Sequence, residues 1–201
     1  MAPHLRPTVY VIDDDPGVLS MLRAVIDTIG VEVRVFASAA EFFAIRREER
    51  PEQCLVCDVR MPGMGGLDVQ RQLAQGGGTL PIIFISGYAE VGTAVEAMRE
   101  GAFDFLEKPF RSQLMLDKIQ KAFVRSQSMW TEKRRRESIE ARRALLTPKE
   151  QVVVAHVVDG LSSREIADRL GMSYRTVENH RARILEKLHV SSTVDLVKLF
   201  I

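Results

Sequence analysis

The chain has 201 residues, of which 46% are hydrophobic and 27% charged, and its formal net charge is +1. This composition is typical of a folded soluble protein rather than a disordered or collagen-like one. No apolar run approaches the roughly 20 residues of a membrane span, the start lacks a secretory signal pattern, and the two cysteines are too few for a disulfide framework. We therefore expect a cytoplasmic protein.

Charge is unevenly spread along the chain. Residues 1–125 carry a formal net charge of −3, whereas residues 141–201 carry +3. A mildly acidic N-terminal part and a basic C-terminal part indicate two regions with different functions. We predict a first domain over residues 1–125, a helical linker over 126–143 and a second domain over 144–201.

Five short apolar runs mark the first domain, and helix-like patterns separate them. The runs are TVYVI (8–12), VEVRVF (31–36), QCLVC (53–57), LPIIFIS (80–86) and AFDFL (102–106). The helical patterns cover residues 17–29, 38–47, 66–75 and 90–100, and Ser38 with Glu41 fits a capping box at the start of the second. Nearly continuous apolar runs are typical of strands buried on both faces. The sequence therefore predicts an α/β domain with a doubly wound, five-stranded parallel sheet.

A long helical pattern follows the last strand. It runs from Arg111 to about Arg143 without Pro or Gly. We interpret it as one helix that is both the last helix of the first domain and the linker. The basic run at residues 133–136 is more simply explained as a solvated helix face than as a nucleic-acid patch.

The last 60 residues or so read as four helices with clear boundaries. Thr147 to Glu150 and Ser162 to Glu165 are capping boxes. Gly171 ends a short helix, Ser173 caps the next, and a final helix starts near Ser192. Two helices joined by a short turn that contains Gly make a helix-turn-helix. We therefore predict an all-α, four-helix second domain.

Acidic residues follow two strands of the predicted sheet. Asp58 ends the third strand, and Asp13 to Asp15 follow the first. The carboxyl ends of parallel strands lie on one rim, which is where such sheets bind ligands. Clustered carboxylates repel unless a cation neutralises them, and oxygen ligands favour Mg²⁺. Ser86 and Lys108 map to the same rim, and Pro109 can aim the lysine inward.

A carboxylate, a magnesium site, a hydroxyl and a lysine together describe an aspartyl-phosphate site. Asp58 would be the nucleophile. Mg²⁺ and Lys108 would offset phosphoryl charge, and Ser86 would hydrogen-bond a phosphoryl oxygen.

The same residues carry a family resemblance over residues 8–125. VIDDD, the Asp58-x-x-Met-Pro-Gly-x-x-Gly run, Ser86-Gly87 and EKPF at 107–110 resemble the receiver domain of two-component response regulators. The resemblance implies that Asp58 accepts a phosphoryl group from a sensor histidine kinase. It also implies Mg²⁺ on Asp14, Asp58 and the backbone carbonyl of Arg60, with Asp13 bound through water.

The resemblance further assigns a conformational switch. Phe105 falls at the aromatic switch position and works with Ser86. Many relatives have Tyr and Thr at these two positions, and both replacements keep the required chemistry. Pro109 implies a cis Lys108–Pro109 bond.

The tail carries a second resemblance, over residues 145–200. Its core, GLSSREIADRLGMSYRTVENH, resembles the LuxR-type helix-turn-helix. A receiver in front of it indicates the NarL/FixJ class, and the chain looks closest to the FixJ branch. This implies a transcription regulator that binds promoter DNA. We expect homodimerisation upon phosphorylation, through a face at about residues 90–120, and RNA polymerase is a further candidate partner.

The predicted recognition helix has an inner and an outer face. Val177, Ile184 and Leu188 recur at helical spacing and should face the core. The resemblance puts base contacts at Glu178, Asn179 and Ala182, although Glu178 could equally cap the helix or repel DNA. The other candidates for the DNA surface are Ser162, Ser163, Arg175, Thr176, Arg181 and Arg183.

The two cysteines suggest a competing thiol function. Cys54 and Cys57 differ by an odd number within one strand, so they should point to opposite faces and share no metal or disulfide. We interpret them as small buried hydrophobes. Two alternatives to a phosphorylation-switched regulator that is not an enzyme are a magnesium-dependent phosphatase using Asp58 and a thiol redox sensor built on a degenerate receiver. The helix-turn-helix argues against the phosphatase. No receiver position is degenerate, which argues against the redox sensor.

Overall fold

The computed structural model describes residues 6–45, 51–76, 78, 80–87 and 91–200. It consists of two compact units, Met1–Lys133 and Arg134–Ile201. Among the described residues, no helix combines the length and apolar character that crossing a bilayer requires.

The first unit is built on a five-stranded parallel sheet with the strand order β2-β1-β3-β4-β5. The strands are β1 (Thr8–Ile12), β2 (Glu32–Phe36), β3 (Gln53–Asp58), β4 (Ile82–Ser86) and β5 (Asp104–Glu107). The fold prediction is confirmed, but β4 and β5 begin two residues later than the apolar runs. The Leu80–Pro81 pair precedes β4, and Pro81 has no N–H to give to a neighbouring strand.

Helices cover both faces of the sheet. They are α1 (Pro16–Asp27), α2 (Ala39–Ile45), α3 (Gly66–Gln75), α4 (Val91–Arg99) and α5 (Ser112–Ala144). Buried residues of α2, α3 and α4 join the core on one face, and those of α1 and α5 join the core on the other. This is the predicted doubly wound arrangement. The predicted end of the second helix at residues 46–47 and the predicted start of the fourth at residue 90 lie outside the described residues.

Local capping fixes the first two helix starts. The Asp15 side chain accepts from the backbone N–H of Gly17 at 2.7 Å, and Pro16 occupies the first helical position of α1. At α2 the Ser38 hydroxyl accepts from the Glu41 N–H at 3.3 Å, as predicted. The Glu41 carboxylate, however, accepts from the N–H of Ala37 at 3.1 Å. The reciprocal bond therefore reaches one residue further back than in a capping box.

The long helix α5 confirms the prediction of one unbroken helix after β5. Its buried residues within the first unit are Met115, Ile119, Ala122 and Ser126. The boundary between the two compact units falls inside α5, after Lys133.

The second unit is all-helical, with α6 (Pro148–Val158), α7 (Ser163–Leu170), α8 (Tyr174–Lys187) and α9 (Thr193–Lys198). Both predicted capping boxes are present, at the starts of α6 and α7. Gly171 ends α7 in the left-handed conformation at φ 63°, which glycine adopts without a steric penalty. The core of this unit includes Val153, Ile166, Val177, Ile184 and Leu196.

Candidate functional site

Two acidic side chains meet at the carboxyl end of the sheet. Asp58 is the last residue of β3, and Asp13 follows β1 directly. These strands are hydrogen-bonded neighbours in which Ile12 pairs with Cys57, so the two carboxylates lie side by side. Both are buried, with 1% of Asp13 and 6% of Asp58 exposed. Two of the four predicted carboxylates therefore lie together at this rim.

Lys108 bridges the two carboxylates. Its Nζ donates to Asp13 Oδ2 at 2.6 Å and to Asp58 Oδ1 at 2.7 Å. The second oxygen of each carboxylate accepts from a backbone N–H, that of Asp15 at 2.9 Å and that of Arg60 at 2.7 Å. One ammonium and two loop amides thus fix the orientation of both acids.

Burial and ion pairing have opposite effects on the pKa values of Asp13 and Lys108. Burial raises the pKa of Asp13 above its ordinary value, and the hydrogen bond from Lys108 only partly offsets this. For Lys108, burial opposes the charged form, but the hydrogen bonds to Asp13 and Asp58 outweigh it and raise the pKa. Lys108 is therefore protonated and positively charged at neutral pH.

The predicted magnesium ligands are only partly assembled. Across the described residues, no three His, Cys, Asp or Glu side chains form a ready metal-ligand group. Asp13 and Asp58 share the Lys108 ammonium as their cation, and Asp14 is exposed beside them. Asp13, Asp14, Asp58 and Lys108 together carry a formal net charge of −2. The donors are all hard oxygens, so their chemistry and charge fit Mg²⁺.

Ser86 and Phe105 lie on neighbouring strands at the same rim. Ser86 ends β4 with 2% of its surface exposed, and its carbonyl accepts from the Lys108 N–H at 2.8 Å. Phe105 on β5 pairs in register with Phe84, and their ring centroids are 6.5 Å apart. Ser86 and Phe84 are two residues apart on β4, so Ser86 and Phe105 share one face of the sheet. The predicted cis bond between Lys108 and Pro109 is present.

Gly66 is a site residue that sequence reasoning used only as part of a motif. A Cβ at this position would lie 2.4 Å from the carbonyl oxygen of Asp58 and 2.9 Å from the Phe84 ring. The Gly66 N–H donates to the Val59 carbonyl at 3.0 Å. The start of α3 is therefore in direct contact with the backbone of Asp58, and only glycine fits at position 66. The signal in the sequence is the last glycine of the MPGMGG run.

The cysteines are not part of the site. Cys54 packs in the core on one face of the sheet and Cys57 in the core on the other, as predicted. Both are free thiols, and burial raises the pKa of each. A protonated, buried thiol is a poor nucleophile and a poor metal ligand.

The second candidate site is the outer face of α8. Val177 and Ile184 are fully buried and Leu188 nearly so, which confirms the inner face that spacing predicted. Ser173 caps the helix by accepting from the Thr176 N–H at 3.1 Å. Six predicted DNA-contacting residues are exposed: Arg175, Thr176, Glu178, Asn179, Ala182 and Arg183. Tyr174 at the start of α8, 54% exposed, belongs to the same surface and was not predicted.

The other three predicted DNA contacts are a buried serine, a serine that caps a helix and an arginine that is hydrogen-bonded within the domain. Ser163 is buried, with 9% of its surface exposed. The exposed Ser162 forms the α7 capping box with Glu165. Arg181 is half-buried and donates to the Thr193 hydroxyl of α9 at 2.8 Å. Sequence spacing could not reveal this last contact because it joins separate helices. The structure therefore brings six of the nine predicted residues onto one exposed face.

Family models match both units. The model described as "Response regulator receiver domain" matches residues 9–120. The model described as "Bacterial regulatory proteins, luxR family" matches residues 144–200. Together they cover the residues of the sheet rim and those of the helix-turn-helix.

Whole proteins of similar length also match. The transcriptional regulatory protein TdiR of Thauera aromatica is 40% identical over 190 residues, which is 94% of this chain and 83% of TdiR. The transcriptional regulatory protein FixJ of Azorhizobium caulinodans is 36% identical over 191 residues, 95% of this chain and 90% of FixJ. Both matches run through the two units.

Two solved structures are similar over nearly the whole chain. The response regulator StyR has a TM-score of 0.78 at 38% identity, with 96% of this chain and 98% of StyR covered. Full-length FixJ from B. japonicum has a TM-score of 0.59 at 34% identity, with 96% and 95% covered.

Proposed function

This chain belongs to the two-component response regulators that join a receiver domain to a LuxR-type DNA-binding domain, and we propose that phosphorylation of Asp58 controls its binding to promoter DNA. The observation that carries the proposal is the Lys108 ammonium, 2.7 Å from Asp58 and 2.6 Å from Asp13. A buried carboxylate so held at a strand end is oriented for nucleophilic attack.

The phosphoryl donor in this proposal is a phosphohistidine of a sensor histidine kinase. A carboxylate oxygen of Asp58 forms the new O–P bond while the N–P bond of the donor breaks, and the imidazole leaves. Lys108 neutralises charge on the transferring group. Asp13, Asp14, Asp58 and the Arg60 carbonyl would hold Mg²⁺, which supplies further charge neutralisation.

Ser86 and Phe105 form the proposed switch. Phosphorylation adds about −1.5 to −2 charge at Asp58, and the Ser86 hydroxyl is the donor on the same rim. Phe105 is half-buried and lies on the same face of the sheet as Ser86, so its ring is the group that we propose to turn inward. A turn of Phe105 would reshape the surface of α4, β5 and the start of α5, about residues 90–120.

We propose that this surface pairs two copies of the chain. A DNA-binding module of this size buries only about 600–1,000 Å² on DNA, so two modules on a two-fold site bind far more strongly than one. The exposed face of α8 and the +3 charge of residues 141–201 support DNA binding by the second unit. The chain then acts as a regulator and not as an enzyme, with RNA polymerase as a further candidate partner. The domain limits of 125 and 143, and a cytoplasmic location, stay predictions.

Mass spectrometry of the intact chain with acetyl phosphate and Mg²⁺ tests the proposal. We expect a single added phosphoryl group on the wild type, none on Asp58→Asn, and none on the wild type after chelation. Full labelling of Asp58→Asn would show that another residue is the acceptor.

A further inference from the structure

Helix α4 is the most weakly anchored of the helices around the receiver sheet. Of its nine residues, Ala97 alone is buried. Its larger apolar side chains face outward, with Val91, Val95 and Met98 exposed by 79%, 42% and 48%. By contrast, α1 buries three residues and α3 four. An element with so little buried apolar surface shifts at low cost in free energy.

Polar contacts from α3 also attach α4. Arg71 Nη2 donates to Glu96 at 2.7 Å and to Glu100 at 2.9 Å, and Arg71 Nε donates to Glu100 at 3.1 Å. The adjacent Gln70 is buried and donates through Nε2 to the Ala97 carbonyl at 3.1 Å. We call these contacts of Gln70 and Arg71 with Glu96, Ala97 and Glu100 the α3–α4 clasp.

The other end of α3 begins at the phosphoacceptor loop. Gly66, its first residue, donates to the Val59 carbonyl at 3.0 Å and packs against the Asp58 carbonyl without space for a Cβ. A backbone change at Asp58 therefore acts directly on α3. The clasp then joins α3 to α4, one of the elements of the proposed dimer surface.

We propose that Arg71 is a positioning residue that holds α4 in its unphosphorylated arrangement and so sets how readily the receiver switches. This inference rests on the proposed function of Asp58. Exposed ion pairs contribute little to the stability of a fold. An equilibrium between two closely balanced conformations, however, responds to differences of that size. Breaking the clasp should therefore favour the active arrangement without unfolding the domain.

The test compares the wild type with Arg71→Gln in two measurements. The first is the rate of Asp58 labelling by acetyl phosphate with Mg²⁺, and the second is the dimer dissociation constant without phosphodonor, by sedimentation velocity. We expect the variant to label faster and to dimerise more tightly, each by roughly three- to tenfold. The phosphorylated proteins should dimerise alike, which loss of general stability would not produce.

Matched variants separate positioning from damage. Arg23→Gln removes the same charge from the exposed surface of α1 and should behave as the wild type. The conservative variant Arg71→Lys keeps a positive charge beside Glu96 and Glu100 and should keep both measurements near wild type. Equal values for Arg71→Gln and wild type, or equal effects of Arg71→Lys and Arg71→Gln, would overturn the role of Arg71. Failure of the wild type to label at all would instead count against the proposed function, and the dimerisation arm would still test the clasp.

Discussion

The ammonium group of Lys108 lies 2.7 Å from Oδ1 of Asp58. The same group contacts Asp13, so one cation serves two buried carboxylates. The arrangement orients the proposed nucleophile before any donor binds. It also makes Lys108 a competitor of any cation that uses the same oxygens.

Removal of Lys108 should strengthen magnesium binding. In Lys108→Met, Asp13 and Asp58 lose their shared ammonium, and a dication at the rim no longer meets a like charge. We expect Mg²⁺ affinity to rise about tenfold, measured by titration calorimetry, while labelling of Asp58 slows. Lys118→Met is the control because Lys118 pairs with Asp104 at the start of β5 instead. Unchanged or weaker Mg²⁺ binding in Lys108→Met would contradict the shared-oxygen account.

Gly66 should tolerate no side chain. In Gly66→Ala the new Cβ meets the Asp58 carbonyl at 2.4 Å, so the backbone of the phosphoacceptor loop must move. We expect a loss of about 1–3 kcal/mol in receiver stability, measured by hydrogen exchange at the Ile83 amide, together with slower labelling. Gly92→Ala is the matched control, since nothing lies within 4 Å of its Cβ, and alanine there should stabilise α4 slightly. Similar stabilities and labelling rates in the two variants would show that the contact of Gly66 with the Asp58 carbonyl does not affect function.

Glu150 should stabilise the DNA-binding unit in a pH-dependent way. Its buried carboxylate accepts from Lys187 at 2.7 Å and from the Thr147 N–H at 2.8 Å. The Lys187 hydrogen bond, with those of Thr147, lowers the pKa of Glu150 to about 2 although burial opposes this. Because the folded pKa is depressed from 4.5, the stabilisation is fully present above about pH 4.5 and fades as the pH falls toward 2.

Glu150→Gln should therefore cost about 1–3 kcal/mol at pH 7, read from hydrogen exchange at Val153 in α6. The difference from wild type should shrink steadily below pH 4.5. Glu165→Gln removes the corresponding acid from the exposed capping box of α7 and should cost less. A Glu150 effect that is equally large at pH 7 and pH 3 would show that shape, and not charge, is what the site requires.

The exposed face of α8 should bind DNA with a preference for particular bases. Asn179→Ala should relax preference at one base pair and cost roughly 1–3 kcal/mol on the preferred site. Arg175→Ala should weaken all sequences alike and reduce the salt dependence of binding. Selection from a random duplex library, followed by titration of wild type and variants at several salt concentrations, measures both. Unchanged base preference in Asn179→Ala would place another surface in the groove.

Local patterns were sufficient for most of the fold and for part of the site. The carboxyl ends of parallel strands share one rim, so the proximity of Asp13 to Asp58 follows from the strand pattern alone. The core positions of α8 and both capping boxes of the second unit also follow from spacing. Strand starts were less accurate, because apolar residues such as Leu80 continue beyond the hydrogen-bonded ladder.

Contacts between separate elements could not be derived in this way. The bridge from Lys108 to both acids, the Arg71 clasp and the bond from Arg181 to Thr193 each depend on how two elements pack. Arg181 shows the consequence, since a basic residue on a recognition helix suggests a phosphate contact until its partner within the domain is known. The close contact at Gly66 could not be derived either, because a glycine in a motif does not reveal which atom lies against it.

The most direct test of the account is sedimentation velocity of the wild type and Asp58→Asn, each with and without beryllofluoride and Mg²⁺ as a phosphoryl mimic. The central claim is that a phosphoryl group on Asp58 brings two chains together. At a concentration below the dimer dissociation constant of the unphosphorylated protein, we expect the wild type to change from monomer to dimer only with the mimic, and Asp58→Asn to stay monomeric throughout. A wild type that remains monomeric with the mimic bound, or an Asp58→Asn variant that dimerises with it, would contradict the claim.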